Sequence, residues 1–247
     1  MCIGIALYNT DNLSSQEAYT LAQLFFKMVG LPITDAAYRS QHAGYSNVSV
    51  SDLAKLIASG EAQDFRLYHK DGNSLPWAAS FGHVTEQYGG FYHIDMQYAN
   101  NIPKDKLEEF LKDCAEIANA AYGIVYTQEN VVDAYEYVLD EGVVPLPVYE
   151  KHLVWRDETP GLFNGPARYK DNMLRMVYPH NVLNSNHLNI SIQGQSLGNL
   201  IMGNAAFGEL KAVNNGQSFI WNVPEENLAD VNSLFGQAGA LIAWKSQ

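Results

Sequence analysis

The stretch from Asp113 to Glu150 carries acidic residues throughout and contains no Lys or Arg. If its central part is helical, four carboxylates recur at i, i+4, i+7 and i+11 and stack along one face. They are Glu129, Asp133, Glu136 and Asp140. Such a row is either a solvated helix face or a docking face for a basic protein. With Tyr137, which offers rigid amphipathic area, these residues form our predicted partner-binding surface.

Two other patterns could support chemistry. His93 and Asp95 lie two apart on a predicted strand and would share a face, as half of a metal site requires. Because no third ligand follows at a suitable spacing, we predict no metal and interpret His93 as a hydrogen-bonded sheet residue. Cys2 would become an N-terminal nucleophile if Met1 were removed, with its own α-amino group as the base. A hydrolase or amidotransferase of the N-terminal-nucleophile type, using Cys2, is therefore the alternative function.

The composition indicates a folded protein, with 47% hydrophobic and 17% charged residues. A formal net charge of −12 opposes binding to nucleic acid and to anionic lipid unless a local basic patch overrides it. The nearest such group, Arg168, Lys170 and Arg175, is small and interrupted by Asp171. Neither a run of about 18 apolar residues nor a signal-peptide core is present. We expect a cytoplasmic protein with no cofactor, no nucleic-acid partner and no membrane contact.

Hydrophobic periodicity and capping residues predict an α+β fold. Ser14, with Glu17 three residues later, indicates the start of the first helix, and Gly30 indicates its end. The predicted helices are 14–30, 50–58, 103–121, 130–142, 196–202 and one that Pro224 opens. The predicted strands are 3–8, 65–69, 77–84, 91–98, 123–127, 209–213, 218–221 and 241–244. No element is assigned between Met173 and His187.

Gly-rich joints between the alternating strands favour a largely antiparallel sheet, and we expect the helices to pack on one face of it. The Pro-containing segment after residue 142 is either an extended edge or a boundary. The chain is therefore predicted to be two α+β subdomains, 1–142 and 143–247, or one continuous domain.

Over roughly the first 140 residues the order of motifs resembles a known family. The motifs are Trp77-Ala78-Ala79-Ser80-Phe81, Gly90-Phe91-Tyr92 and, after a long amphipathic helix, Tyr122-Gly123-Ile124-Val125-Tyr126. This pattern is similar to the immunity-protein-52 type, which is linked with bacterial polymorphic toxins. The resemblance implies a non-enzymatic cytoplasmic protein that neutralises a cognate toxin by stoichiometric binding. An acidic chain would suit a basic toxin.

The first half is also rich in tyrosine. If several tyrosines lined a deep apolar pocket, a small-ligand binding module would become a third possibility.

Overall fold

The computed structural model describes residues 1–40, 44–72, 76–85, 93–99, 104–140, 142, 144–158 and 165–246. Within these ranges the strands are β1 (Cys2–Tyr8), β2 (Asp35–Ser40), β3 (Gly44–Val48), β4 (Phe65–His69), β5 (Ala79–Val84), β6 (His93–Tyr98), β7 (Tyr122–Gln128), β8 (His180–Asn184), β9 (Ser191–Ile192), β10 (Gln195–Ser196), β11 (Glu209–Val213) and β12 (Ser218–Asn222). The α-helices are α1 (Ser15–Val29), α2 (Val50–Ala58), α3 (Lys104–Ala118), α4 (Val131–Leu139), α5 (Leu197–Gly203) and α6 (Leu228–Gln237). None of these helices is long and apolar enough to span a bilayer.

In the described ranges, ten of the strands form one sheet, in the order β11-β12-β8-β7-β1-β6-β5-β4-β2-β3. Every neighbouring pair is antiparallel. The predicted α+β class and its antiparallel sheet are therefore confirmed. β1 lies in the middle, between β6 and β7, so the first residues of the chain form the centre of the fold.

The predicted helix boundaries follow from caps that the structure contains. Ser14 and Glu17 form a capping box at the start of α1, and Gly30 ends the helix with φ at 71°. The side chain of Ser49 caps α2 by accepting a hydrogen bond from the backbone N–H of Asp52. α4 begins after Asn130, as predicted, but it ends at Leu139, with Asp140 as its C-cap, rather than at Gly142. The predicted strand 241–244 is reduced to single bridges.

Both faces of the sheet carry helices, which corrects the prediction of a single covered face. On β1, Ile5 and Leu7 point to the face that α1, α2 and α3 cover, here called the Leu7 face. Ala6 and Tyr8 point to the opposite face, here called the Tyr8 face, where α4, α5 and α6 contribute to the core. Because β1 is apolar at almost every position, it needs cover on both sides.

The sheet continues through the predicted subdomain boundary. β8, from the second half, pairs with β7 from the first, and β12 and β11 extend the same edge. Whether the halves 1–142 and 143–247 can fold separately stays a prediction.

Candidate functional site

The structure separates the five residues of the predicted docking surface. Glu129 is exposed but precedes the Asn130 cap, so it lies outside α4. Asp133 and Glu136 are partly exposed on the helix. Tyr137 and Asp140 are buried, with 2% and 4% of their surface accessible. The four carboxylates therefore do not form one exposed helix face, and that part of the prediction is wrong. A docking role for Glu129, Asp133 and Glu136 stays a prediction.

Asp140 is an anchor for the chain that follows it. Its backbone is left-handed, with φ at 53°, and its carboxylate accepts hydrogen bonds from the backbone N–H groups of Leu153 and Trp155 at 3.0 and 2.7 Å. These bonds hold the segment after α4 against the helix end. The helical spacing that predicted an exposed carboxylate does not apply, because the helix has already ended.

Tyr137 joins a buried polar cluster on the Tyr8 face. Its hydroxyl donates to Glu150, at 2.8 Å from Oε1 and 3.0 Å from Oε2, and lies 2.7 Å from the hydroxyl of Tyr178. Arg175 lies behind the ring, with its guanidinium carbon 3.9 Å from the Tyr137 centroid. Its Nη1 donates to the Tyr137 carbonyl at 2.8 Å, but its Nε is 3.4 Å from Glu150 Oε1. Arg175 thus binds Tyr137 more closely than it binds the carboxylate.

A surface pocket of about 420 Å³ opens onto this cluster, here called the tyrosine pocket. Its described lining consists of Tyr126, Thr127, Gln128, Tyr137, Pro147, Tyr149, Glu150, Met176, Val177, Tyr178, Pro179, Glu225, Leu228 and Ala229. Tyr137, Glu150 and Tyr178 are almost fully buried and form its floor. Aromatic walls around a few convergent polar groups are typical of ligand-binding sites.

Burial sets the electrostatics of the floor. It raises the pKa of the Glu150 carboxyl above the usual value, and the nearby charge of Arg175 offsets only part of that effect. Burial also raises the pKa values of Tyr137 and Tyr178 well above the ordinary range for tyrosine, so both hydroxyls stay neutral donors. The floor therefore holds a carboxylate whose charge is incompletely compensated.

An acidic cleft of about 540 Å³ adjoins the pocket and shares Pro179 and Glu225 with it. Its described lining is Glu108, Pro179, His180, Gly208, Glu209, Asn222, Val223, Pro224, Glu225 and Glu226. Lys211 forms ion pairs with Glu108 and Glu209, at 2.9 and 3.3 Å. Two of the four glutamates are thus partly neutralised, while Glu225 and Glu226 are exposed.

A second buried ion pair lies on the same face of the sheet, in the first half of the chain. Arg66 donates through Nη1 and Nη2 to the two oxygens of Asp95, at 2.7 and 2.6 Å. Gln97 Nε2 donates to the same carboxylate at 2.8 Å. Although burial alone would raise it, the charge of Arg66 and hydrogen bonds from His93 and Arg66 hold the pKa of Asp95 well below its usual range.

This ion pair involves Asp95, which is one of the two residues of the predicted His93–Asp95 metal half-site. The two side chains do share a face, with His93 Nε2 3.5 Å from Asp95 Oδ2. Arg66 already binds both carboxylate oxygens, however, so Asp95 is committed to a guanidinium. In the part of the chain that the structure describes, no three His, Cys, Asp or Glu residues are grouped as metal ligands.

Cys2 is buried at the start of β1 in the chain that retains Met1. Only 1% of its surface is accessible, and burial raises the pKa of its thiol to about 12. A thiolate is the reactive form of cysteine, so burial of Cys2 with Met1 in place disfavours the Cys2 alternative. Whether the chain has any enzymatic activity stays untested.

That Arg175, Tyr178 and Glu150 share one site was not predicted from the sequence. The first two lie between Met173 and His187, where no element was assigned and where the structure contains β8. One signal was present: Arg175 is flanked by Leu174, Met176 and Val177. A single arginine inside an apolar run indicates a buried ion that needs a carboxylate partner. Sequence alone does not say which carboxylate supplies it.

No family model matches the sequence, and no curated protein matches it. Among solved structures, the chain is similar to a T6SS (type VI secretion system) protein from Pseudomonas aeruginosa, with a TM-score of 0.56 and 10% sequence identity. The alignment covers 98% of this chain and 76% of that chain. At this identity the similarity establishes a shared fold.

Proposed function

We propose that this protein is a stoichiometric inhibitor of the immunity type, which binds and neutralises a basic toxin used in bacterial competition. Two similarities support the proposal. The motif order of the first half resembles the immunity-protein-52 type, and the fold is shared with a T6SS protein over 98% of the chain. Gly90, Phe91 and Tyr92 of that motif order lie outside the described residues.

The observation that carries the proposal is the acidic cleft beside the tyrosine pocket. Four glutamates and one lysine give it a net negative charge, in a chain whose formal net charge is −12. Clefts lined by one sign of charge focus the electric field and accelerate association with an oppositely charged partner. Many toxins that act on nucleic acid present a basic surface to it, so an acidic inhibitor can compete for that surface.

Co-expression tests the proposal. The genes beside this one in the source genome, and the secreted effectors of the same organism, would each be induced in a host with and without the chain. We expect one of them to arrest growth, and the chain to restore growth and to form a 1:1 complex with it. If the chain relieves no effector and forms no complex, the proposal is wrong.

Charge variants then test the role of the cleft. Replacing Glu225 and Glu226 together by Lys should slow association about tenfold at low salt and weaken its dependence on ionic strength. The matched control replaces Asp11 and Glu61, which are exposed elsewhere, and should leave the rate within about twofold. Equal rates for both double variants would contradict a docking role for the cleft.

A small-ligand binding module is a second candidate, because the tyrosine pocket has the lining on which that possibility depended. Its volume of about 420 Å³ falls within the range of small-molecule sites. Native mass spectrometry of gently purified protein tests it: a stoichiometric organic adduct that Tyr149→Trp abolishes would favour this candidate.

A further inference from the structure

We infer that the tyrosine pocket receives a single Lys or Arg side chain of the basic partner, with its cationic group between Glu150 on the floor and Glu225 at the rim. This inference rests on the proposed function and identifies the part of the partner that it requires.

The carboxylate on the floor has one long contact with a buried guanidinium. Glu150 accepts hydrogen bonds from the Tyr137 hydroxyl. Among the described residues, its only guanidinium contact is with Arg175, at 3.4 Å. Arg175 is 1% accessible and its charge is shared with the Tyr137 carbonyl and ring. A buried carboxylate with incomplete compensation is costly, so a second cation arriving from the pocket side would be attracted.

The aromatic rings of the floor and walls suit a cation on a long aliphatic stem. Tyr126 and Tyr137 lie with ring centroids 4.6 Å apart, and Tyr149 stacks on Trp244 at 5.8 Å near the mouth. Aromatic faces attract ammonium and guanidinium groups, most strongly where water is excluded. Methylene groups of Lys or Arg can pack on the same rings while the charged end reaches the carboxylate.

The charges of the lining select a cation over an anion. Among the described residues that line the pocket, the charged ones are Glu150 and Glu225. Glu225 also lines the acidic cleft, so the field of the cleft continues to the mouth of the pocket. A basic surface docked on the cleft would therefore bring its side chains directly over the opening.

Binding of capped amino acids tests the inference without knowledge of the partner. N-acetyl-arginine methylamide and N-acetyl-lysine methylamide would be titrated into the full chain by NMR, with N-acetyl-citrulline methylamide as the neutral analogue of arginine. We expect saturable binding in the millimolar range, with shifts at Tyr149 and Tyr178, and citrulline about tenfold weaker or worse. Equal binding of arginine and citrulline, or shifts elsewhere only, would overturn the inference.

Two variants locate the site. Glu225→Gln should weaken arginine binding about three- to fivefold, as loss of one exposed ion pair does. Asp230→Asn is a matched change at an exposed residue of α6 that does not line the pocket. It should weaken arginine binding by less than about twofold. Equal losses would show that the general field binds the cation rather than the pocket.

The two proposals can fail separately. In the co-expression assay, Tyr149→Leu should raise the amount of chain needed to restore growth if the pocket holds a partner side chain. If the wild type neutralises the effector and Tyr149→Leu does so equally well, the inference is wrong and the proposed function stands. If arginine binds in the pocket but no effector is neutralised, the proposed function is wrong and the cation site stands.

Discussion

Two buried arginine–carboxylate pairs lie on the Tyr8 face, and they differ in how completely the charges are matched. In the first, Arg66 meets Asp95 with two short parallel hydrogen bonds across β4 and β6. In the second, Arg175 meets Glu150 through one contact of 3.4 Å and donates through Nη1 to the Tyr137 carbonyl at 2.8 Å. We call these the closed pair and the open pair.

Because burial alone would raise the pKa of both carboxyl groups, the geometry of the guanidinium contact accounts for the difference between them. Both carboxylates are almost fully buried. Yet the pKa of Asp95 is held below its usual range, while that of Glu150 is raised above it. A bidentate guanidinium with further hydrogen bonds compensates the loss of water, whereas one long contact does not. The closed pair therefore holds strands together, and the open pair leaves a carboxylate that can still attract a cation.

Breaking the closed pair should give the largest effect. Asp95→Asn leaves the Arg66 guanidinium buried without its counter-charge, and we expect the free energy of unfolding to fall by about 3–5 kcal/mol. Urea denaturation at pH 7, monitored by tryptophan fluorescence, measures the change.

The open pair supplies the control for that experiment. Glu150→Gln keeps an acceptor for the Tyr137 hydroxyl, and Arg175 keeps its bond to the Tyr137 carbonyl. Its cost should be about 1–2 kcal/mol, less than half that of Asp95→Asn. Similar losses for the two variants would refute the distinction between the pairs.

Adding a methyl group beside the closed pair should lower the stability of the fold by a smaller amount. On β5, Gly82 lies between Arg66 and Asp95 in the sheet register, and a Cβ at this position would collide with the Arg66 guanidinium and with the Asp95 carboxylate. Gly82→Ala should destabilise the fold by about 1–3 kcal/mol, since the pair must shift to admit the methyl group.

Gly72→Ala provides the comparison, because a Cβ there would have open space around it. Thermal unfolding should show little change for this variant and a clear decrease in Tm for Gly82→Ala. An unchanged Tm for both would mean that the pair adjusts to the added methyl group without loss.

The elements that the sequence predicted are those with local signals at their ends. α1 was found through Ser14, Glu17 and Gly30, and the hairpin β11–β12 through its Asn-Gly step. β2 and β3 were missed, because their sequences carry little apolar alternation and their pairing is with each other and with β4. β8 was missed for a related reason: it is a strand because β7 and β12 lie on either side of it.

The candidate site was predicted less well than the fold. The predicted partner-binding surface included Asp140 and Tyr137, but the segment after residue 144 packs over both. The tyrosine pocket combines residues from β7, α4, α6 and two loops. No local sequence pattern predicts this pocket, because it forms only where the second half of the chain packs against the sheet.

The smallest predicted effect is the pH dependence of the two pairs, which should have opposite signs. The pKa of Asp95 is lowered in the folded state, so its contribution to stability is present above its ordinary value of 3.8 and is lost as pH falls. The pKa of Glu150 is raised, so its contribution is present below its ordinary value of 4.5 and is lost as pH rises through the folded-state pKa.

Urea denaturation of wild type and both variants between pH 3 and pH 7 measures these signs. The stability difference between wild type and Asp95→Asn should grow with rising pH and level off above pH 5 or so. The difference between wild type and Glu150→Gln should instead shrink with rising pH over the upper part of the range. Titration of groups far from the substituted residue is common to all three proteins and cancels in the differences. Two differences that changed in the same direction would show that Glu150 is compensated as fully as Asp95, and the open pair would then offer no attraction to a partner's cation.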